Sequence, residues 1–338
     1  MQSLASNYRP HDWDSVVEQK SIKLILREQI NSNSTKNCYL FTGGAGTGKT
    51  TCARIFANEI NGGKGTPIEV DAASNNGVEN VRDIIENAKF KALDAPYKVY
   101  IIDECHMLST GAWNAMLKLL EEPPAQTILI RCTTDPQKIP ATILSRVQRY
   151  DFQRISFDGI VNRLRYICEQ ENLQAETEAL EFIAKLADGG CRDSITLLDK
   201  CVSYDENITI ESVIEALGTV NYDKMFELNA AVLENDAAYA IEIIEEIYRA
   251  GIDLKQFMKE FWKFLLDAYK FYLLGDTNLT HIPSTYTKHL KELSDEDYSA
   301  MLVTLDEIMT LNSNLRWETA PKTLIESTFL MMCTGGQG

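Results

Sequence analysis

Gly43-Gly44-Ala45-Gly46-Thr47-Gly48-Lys49-Thr50 fits the pattern G-x-x-x-x-G-K-[ST] and lies between an apolar run, Cys38–Phe41, and a helical pattern beginning near Thr51. The motif carries meaning only in a strand–loop–helix context, and these flanks supply one. Glycines let the backbone wrap a phosphate without Cβ clashes. Amides of the loop and of the helix start point at the anion, Lys49 reaches the outer phosphates, and the Thr50 hydroxyl suits Mg²⁺. A second acidic element follows about 50 residues on: the apolar strand Val99–Ile102 ends in Asp103-Glu104. Asp103 can hold Mg²⁺, and Glu104 can orient or deprotonate a water attacking the terminal phosphate.

Three further residues extend this chemistry. Thr134, in Thr133-Thr134-Asp135-Pro136, follows an apolar run and offers a hydroxyl to the phosphate or the attacking water if that run lies between the other two strands. Arg146, in Leu144-Ser145-Arg146-Val147, is remote in sequence from the phosphate loop. It suits a finger reaching a neighbouring subunit's nucleotide, where a guanidinium stabilises transition-state charge. Arg192, in Gly189-Gly190-Cys191-Arg192-Asp193, begins a helix that can fold back onto the nucleotide.

The elements that must position these groups alternate over residues 1–152. Strands are expected at Cys38–Thr42, Thr66–Val70, Lys98–Asp103, Thr127–Cys132 and Arg149–Phe152. Helices are expected at Ser21–Ile30, Thr51–Ile60, Val78–Ala92 and Thr110–Leu120. That alternation predicts a five-stranded parallel α/β sheet with helices on both faces and ligands at the carboxyl ends of its strands. Three helical segments follow over Ser156–Ser203. From Thr209 to Met332 the chain reads as helical throughout, with Gly218, Gly251, Gly275 and Pro283 as punctuation. Within it, the aromatic and Met stripe of Phe257–Tyr272 reads as core or subunit seam, and Asp295-Glu296-Asp297 as a solvated helix start. The tail 334–338 reads as disordered or as a truncated end.

The chain has 338 residues and a formal net charge of −16. Residues 211–338 carry 21 acidic and 10 basic side chains, residues 1–210 carry 28 and 23. Bulk attraction to nucleic acid is thereby excluded, so any DNA contact needs a local patch in the first part, with Arg82 and Lys89 as candidate cations at helix starts, or partner subunits. No window approaches a membrane span, the polar start carries no signal-peptide core, and eight scattered cysteines suit a reduced, cytoplasmic setting. Cys168, Cys191 and Cys201 read as small buried hydrophobes.

Taken together, these residues resemble the AAA+ clamp-loader ATPases, and among them the bacterial DNA polymerase III gamma/tau type. The strings that carry the likeness are Tyr8-Arg9-Pro10 with Val16-Val17-Glu18-Gln19, the phosphate loop, and Asp71–Ile84 (DAASNNGVENVRDI). Tyr97–Pro124 (YKVYIIDECHMLSTGAWNAMLKLLEEPP), Thr133–Arg146 (TTDPQKIPATILSR) and Gly189–Lys200 (GGCRDSITLLDK) complete them. The likeness is dense over residues 4–205 and weaker beyond.

The resemblance implies an AAA+ nucleotide-binding domain at 1–152, a helical lid at 153–207, an all-α collar at 208–333 and a tail at 334–338. It implies that Arg9, Pro10 and Val17 contact adenine. Gly43, Gly44, Ala45, Gly46, Thr47, Gly48, Lys49, Thr50 and Thr51 would cradle ATP, with Thr50 and Asp103 on Mg²⁺ and Glu104 in hydrolysis. Thr134 would be the first sensor, Arg192 the second, and Arg146 the trans-acting finger. The implied activity is ATP-driven loading of a sliding clamp on primer–template DNA, within a pentameric ring or spiral that belongs to a polymerase holoenzyme without itself polymerising.

Two departures stand out. Val147 replaces the family's Cys after the finger arginine. The family's four-cysteine zinc module is absent, since no cysteine lies between Cys52 and Cys105. Cys105 and His106 lack the partners of a zinc site, so none is expected. Two rivals are weighed. A Holliday-junction branch-migration motor should end in a basic winged helix, which the acidic, helical residues 211–338 do not suit. An ATPase-silent scaffold should lack Lys49 or Glu104, and both are present.

Overall fold

The structure is a computed structural model that describes residues 3–217, 222–275, 280 and 282–335. Gly218 and the tail residues 336–338 lie outside the described residues. Chain order begins α1 (Leu4–Asn7), α2 (Lys20–Asn31), β1 (Cys38–Thr42), α3 (Lys49–Ile60), β2 (Ile68–Asp71), α4 (Val78–Ala88), β3 (Lys98–Asp103), α5 (Thr110–Glu121), β4 (Thr127–Thr133), α6 (Ala141–Leu144) and β5 (Gln148–Asp151). It continues α7 (Phe157–Glu171), α8 (Thr177–Leu186), α9 (Cys191–Tyr204), α10 (Ile210–Leu217), α11 (Tyr222–Leu233), α12 (Ala237–Arg249), α13 (Leu254–Leu274), α14 (Thr287–Glu292), α15 (Asp295–Leu315) and α16 (Pro321–Thr334). The chain divides into two compact units, residues 1–174 with 187–203, and residues 175–186 with 204–338.

In the first unit the strands form one five-stranded sheet of order β2-β3-β4-β1-β5, paired in parallel throughout. The pleat sends alternate residues of each strand to opposite faces, so a strand covered on both sides must be apolar throughout. All five residues of β1 are buried. Tyr39 and Phe41 enter one core with Trp13, Leu26, Phe56, Ile130 and Phe152, and Cys38 and Leu40 enter the other with Tyr100, Ile102, Trp113 and Met116. Each such side chain contributes about 1.5–3 kcal/mol by leaving water. β4 lies between β1 and β3, which brings the ends of all three strands side by side.

The second unit is helical apart from short strand residues such as Asn207–Ile208. Phe257, Phe261 and Phe264 stand one turn apart on α13, all buried, and Phe329 of α16 packs against Phe261. These three residues of α13 are core, one of the two readings given for the stripe, while Tyr272 at its end is exposed. Asp253 caps α13 by accepting from the Lys255 and Gln256 amides, and left-handed Gly275 ends it. Ser294 and Asp297 form a reciprocal cap at the start of α15, where Asp295, Glu296 and Asp297 favour the helix dipole. No helix among the described residues is long and apolar enough to cross a membrane.

Several expectations need correction. β2 starts at Ile68, not Thr66, because Pro67 has no amide for the ladder. α4 stops at Ala88, not Ala92. Its buried face, Val81, Ile84 and Ala88, is followed in register only by the small, half-buried Ala92, Lys98 Nζ takes the Asn87 carbonyl at 2.7 Å, and Phe90 and Leu93 are exposed. Lys89 therefore caps the C-terminus of α4 and is no helix-start cation, while Arg82 pairs with Glu79 one turn earlier at 3.1 Å. The segment 284–293 is a short 3-10 turn at Ser284–Tyr286 followed by α14. Cys168 and Cys201 are buried, but Cys191 is only partly so, since it opens α9.

Candidate nucleotide site at the carboxyl ends of β1, β3 and β4

The loop from β1 to α3 depends on three positive-φ glycines: Gly43 at 146°, Gly46 at 66° and Gly48 at 98°. Space adds a second constraint at two of them. A Cβ on Gly43 would stand 2.5 Å from the Phe152 carbonyl oxygen, and one on Gly46 would stand 2.9 Å from the Gly190 Cα. At Gly48 a Cβ would meet nothing within 4 Å, so only the left-handed backbone demands glycine there. Gly48 then caps α3, and the first amides of that helix have no acceptor within it. A half-positive helix end with unpaired amides suits an anion.

Lys49 is buried, with Nζ donating to the Gly43 and Gly44 carbonyls at 2.9 and 2.6 Å. Burial pushes its ammonium below the usual lysine range, against the pull of the Glu104, Asp103 and Asp193 carboxylates. The Thr50 hydroxyl donates to Asp103 Oδ2 at 2.7 Å. A hydroxyl beside a single carboxylate is a hard oxygen pair of the kind Mg²⁺ takes when phosphates supply its other ligands. Among the described residues no group of three or more His, Cys, Asp or Glu is placed to hold a metal ion. The donor set thus fits a nucleotide-borne divalent ion.

Glu104 sits in the left-handed region at φ 44°, just past β3. Its Oε2 accepts from the Thr134 hydroxyl at 2.9 Å and lies 3.3 Å from His106 Nδ1. His106 Nδ1 is also 3.1 Å from Thr133 Oγ1. Placing β4 between β1 and β3 is what lets Thr134 reach Glu104 across 30 residues of sequence. Cys105 is fully buried, and burial pushes its thiol up to about 12, so it is an inert neighbour.

The remaining residues divide. Arg9 Nε donates to Thr51 Oγ1 at 3.3 Å, and burial, then the Arg54 charge, pushes its guanidinium down. Pro10 and Val17 are half-buried. Thr47 Oγ1 donates to the Gly44 carbonyl, while Gly44 and Ala45 are exposed. The Arg192 amide donates to the Gly46 carbonyl at 3.4 Å, which sets the start of α9 on the phosphate loop. Arg146 is turned elsewhere: it bonds the Thr142 carbonyl and Ser145 Oγ and pairs with Glu121 at 3.2 Å.

Sequence reading passed over three participants. His106 stands in the sequence reading only as a candidate metal ligand, although its place two residues after Glu104 is a signal. Asp193 Oδ2 would lie 3.0 Å from a Cβ on Gly46, and its adjacency to Arg192 marked it. Gln19, buried, donates to the Thr47 and Gln153 carbonyls.

Family models match in succession along the chain. One for the DNA polymerase III delta subunit covers residues 66–156, one for the ATPase lid domain of DNA polymerase III clamp-loader subunits covers 159–207, and one for domain III of the gamma and tau subunits covers 208–323. The chain is 35% identical to the DNA polymerase III subunit tau of Bacillus subtilis over 98% of its own length and 63% of that protein's, so it spans less than two thirds of this relative. It is 32% identical to the DNA polymerase III subunit gamma of Buchnera aphidicola, over 78% of this chain and 79% of that one. The Thermotoga maritima RuvB Holliday-junction branch-migration motor superposes with a TM-score of 0.52 at 17% identity, covering 73% of this chain and 86% of that one, which is a likeness of AAA+ fold alone. With DNA polymerase III subunit models matched in succession over residues 66–323 and a gamma subunit matched over most of both lengths, the chain belongs to the DNA polymerase III gamma/tau family of clamp-loader subunits.

Proposed function

We propose that this chain is an ATP-hydrolysing motor subunit of a sliding-clamp loader. The observation that carries the reading is the convergence of Lys49, Thr50, Asp103, Glu104 and Thr134 at three adjacent strand ends. Amides at the start of α3 and the Lys49 ammonium bind the outer phosphates of ATP. Thr50 and Asp103 would hold Mg²⁺, which would offset phosphate charge when bound. Arg9, Pro10 and Val17 receive the adenine. Glu104 takes the proton of the attacking water, and Thr134 orients that carboxylate. Arg192, on the lid that residues 153–207 form, reports the nucleotide to it. Arg146, bonded away from its own loop, serves a neighbouring subunit's site.

Residues 208–333 act as the collar that holds such subunits in a ring or spiral. ATP, clamp and primer–template DNA each favour the same assembly, and hydrolysis releases the closed clamp. DNA is held by its phosphates, so binding is salt-sensitive and largely independent of sequence.

The test is ATPase of the chain alone, then with its partner subunits, a clamp and primed DNA. Strong stimulation by clamp with primed DNA is expected. Stimulation by four-way junctions with no clamp effect would sink the reading. Arg146→Ala should keep ATP binding and lower stimulated hydrolysis about 10³-fold, the scale of a trans-acting arginine. Loss of binding in the isolated subunit would show that Arg146 serves its own site.

A further inference from the structure

Glu18 and Gln19 are adjacent, neither is glycine, and both are held at positive φ, 53° and 49°. Left-handed backbone disfavours ordinary side chains, and it persists where surrounding contacts over-determine it, often at ligand clamps. Here the side chains supply those contacts. Glu18 Oε2 accepts from the Ser156 amide at 3.1 Å, and Oε1 accepts from the Ser156 hydroxyl. Ser156 is the N-cap of α7, and its Oγ accepts from the Gly159 amide. The Glu18 carboxylate thus sits on the positive end of α7, where charge and free amides both favour it. Gln19 Nε2 donates to the Gln153 carbonyl at 2.7 Å and to the Thr47 carbonyl at 3.4 Å, and its Oε1 accepts from the Gln153 amide at 3.3 Å.

These contacts close a circuit. Gln19 joins the phosphate loop to the turn after β5. The Ile155 amide of that turn donates to the Gly189 carbonyl at 3.1 Å, just before α9. The Arg192 amide of α9 returns to the phosphate loop at Gly46. Val17, the proposed adenine contact, is the residue that enters the clip.

We propose that Glu18 and Gln19 are positioning residues for nucleotide binding: a clip that fixes the strap bearing Val17 to the phosphate loop and to α7, so that affinity depends on Glu18 through Ser156. This rests on the nucleotide reading of the site. The full chain is titrated with ATP and with ADP, and its melting temperature, steady-state kinetics and Ser156 amide exchange are measured in parallel.

Glu18→Ala should weaken nucleotide binding about tenfold, a typical coupling between linked elements, with the loss in KM rather than kcat. Glu18→Gln keeps one acceptor oxygen and should lose about threefold. Glu18→Gly relieves the backbone and should melt no lower than the parent yet show the full affinity loss, which a merely structural role would not produce. Ser156→Ala should act in the same direction, and the double variant with Glu18→Ala should be no worse than the worse single one.

Unchanged affinity in Glu18→Gly, or independent multiplication of the Glu18 and Ser156 effects, overturns the proposal. If the parent chain binds no nucleotide, the nucleotide reading fails by itself. Ser156 amide exchange without nucleotide then judges the clip: faster exchange in Glu18→Ala supports it, and unchanged exchange overturns it.

Discussion

The side-chain bonds that assemble the nucleotide site span long separations along the chain, whereas most ion pairs among the described residues of the second unit are local. Thr50 reaches Asp103, Glu104 reaches Thr134, and Gln19 reaches Gln153, separations of 53, 30 and 134 residues. In the second unit, Lys224–Glu227, Arg249–Glu245, Lys263–Glu260, Lys270–Asp267 and Lys288–Glu292 are all one helical turn apart. Long-range polar bonds need the fold first and then fix atoms to within a reaction's tolerance. Local pairs need only a helix and fix little beyond it. The comparison therefore teaches where a polar substitution acts on function and where it acts on nothing.

The sharpest case is Glu104→Gln. The amide keeps the size of the side chain and an acceptor for Thr134 but removes the base. Hydrolysis should fall about 10²- to 10⁴-fold, the usual worth of a general base, with ATP affinity retained. Single-turnover hydrolysis and equilibrium binding measured on the same sample check this. A drop below tenfold would mean that Glu104 is not the base.

The second unit should respond in the opposite way, through its apolar stripe. Phe261 is wholly buried on α13 among Phe257, Phe264 and Phe329. Phe261→Ala should destabilise that unit by about 3–5 kcal/mol through lost burial and a cavity. Denaturant unfolding monitored on the second unit reads it, and a cost below about 1 kcal/mol would show a core able to collapse around the gap.

Lys49 separates function from stability. Folding lowers its pKa, so the folded state disfavours the ammonium that the unfolded chain holds freely. That penalty is fully present below the folded-state pKa, fades as pH rises from there towards the unfolded value, and is gone above it. Near neutral pH, Lys49→Met should therefore melt no lower than the parent without nucleotide, while losing about 100-fold or more in ATP affinity as a buried phosphate partner disappears. A large fall in melting temperature would show that the Gly43 and Gly44 carbonyls need the lysine more than burial penalises it.

How much of this was legible in the sequence follows the same divide. The strand ends were readable because a buried parallel strand must be apolar throughout, so Cys38–Thr42 and Lys98–Asp103 stand out with their polar stops. The acidic pair and the glycine loop were readable because their chemistry is local. What passed unread was lateral. Nothing along the chain says that His106 lies between Glu104 and Thr133, or that Gln19 meets Thr47 and Gln153, since those meetings depend on strand order and on a turn 134 residues away. Arg131 is a harder case: it sits inside the apolar run of β4, wholly buried beside Cys38 and Cys105, and burial pushes its guanidinium down. Periodicity counts it as one polar residue on a strand and gives no sign of that burial. The end of α4 was misplaced for a related reason, because Phe90 and Leu93 continue an apolar composition that finds no surface to cover.

The smallest effect tests the local half of the comparison at its strongest point. Lys322 of α16 pairs with Glu245 and Glu326 and lies 4.6 Å from the Tyr248 ring, and Arg249 also holds Glu245 at 2.8 Å. This is the densest group of charges among the described residues of the second unit that also joins two helices, α12 and α16. Arg249 is exposed and Lys322, Glu245 and Glu326 are each about one-third exposed, so water competes for the partners and salt screens them in part. Lys322→Ala should leave the melting temperature unchanged within error at moderate ionic strength, and the parent's own stability should hardly respond to added salt. A clear loss that vanishes at high salt would mean that a network of part-exposed pairs can fix the packing of α12 on α16. In that event polar bonds would position structure in the helical unit as they do at the phosphate loop, and sequence separation would no longer be the property that distinguishes the two.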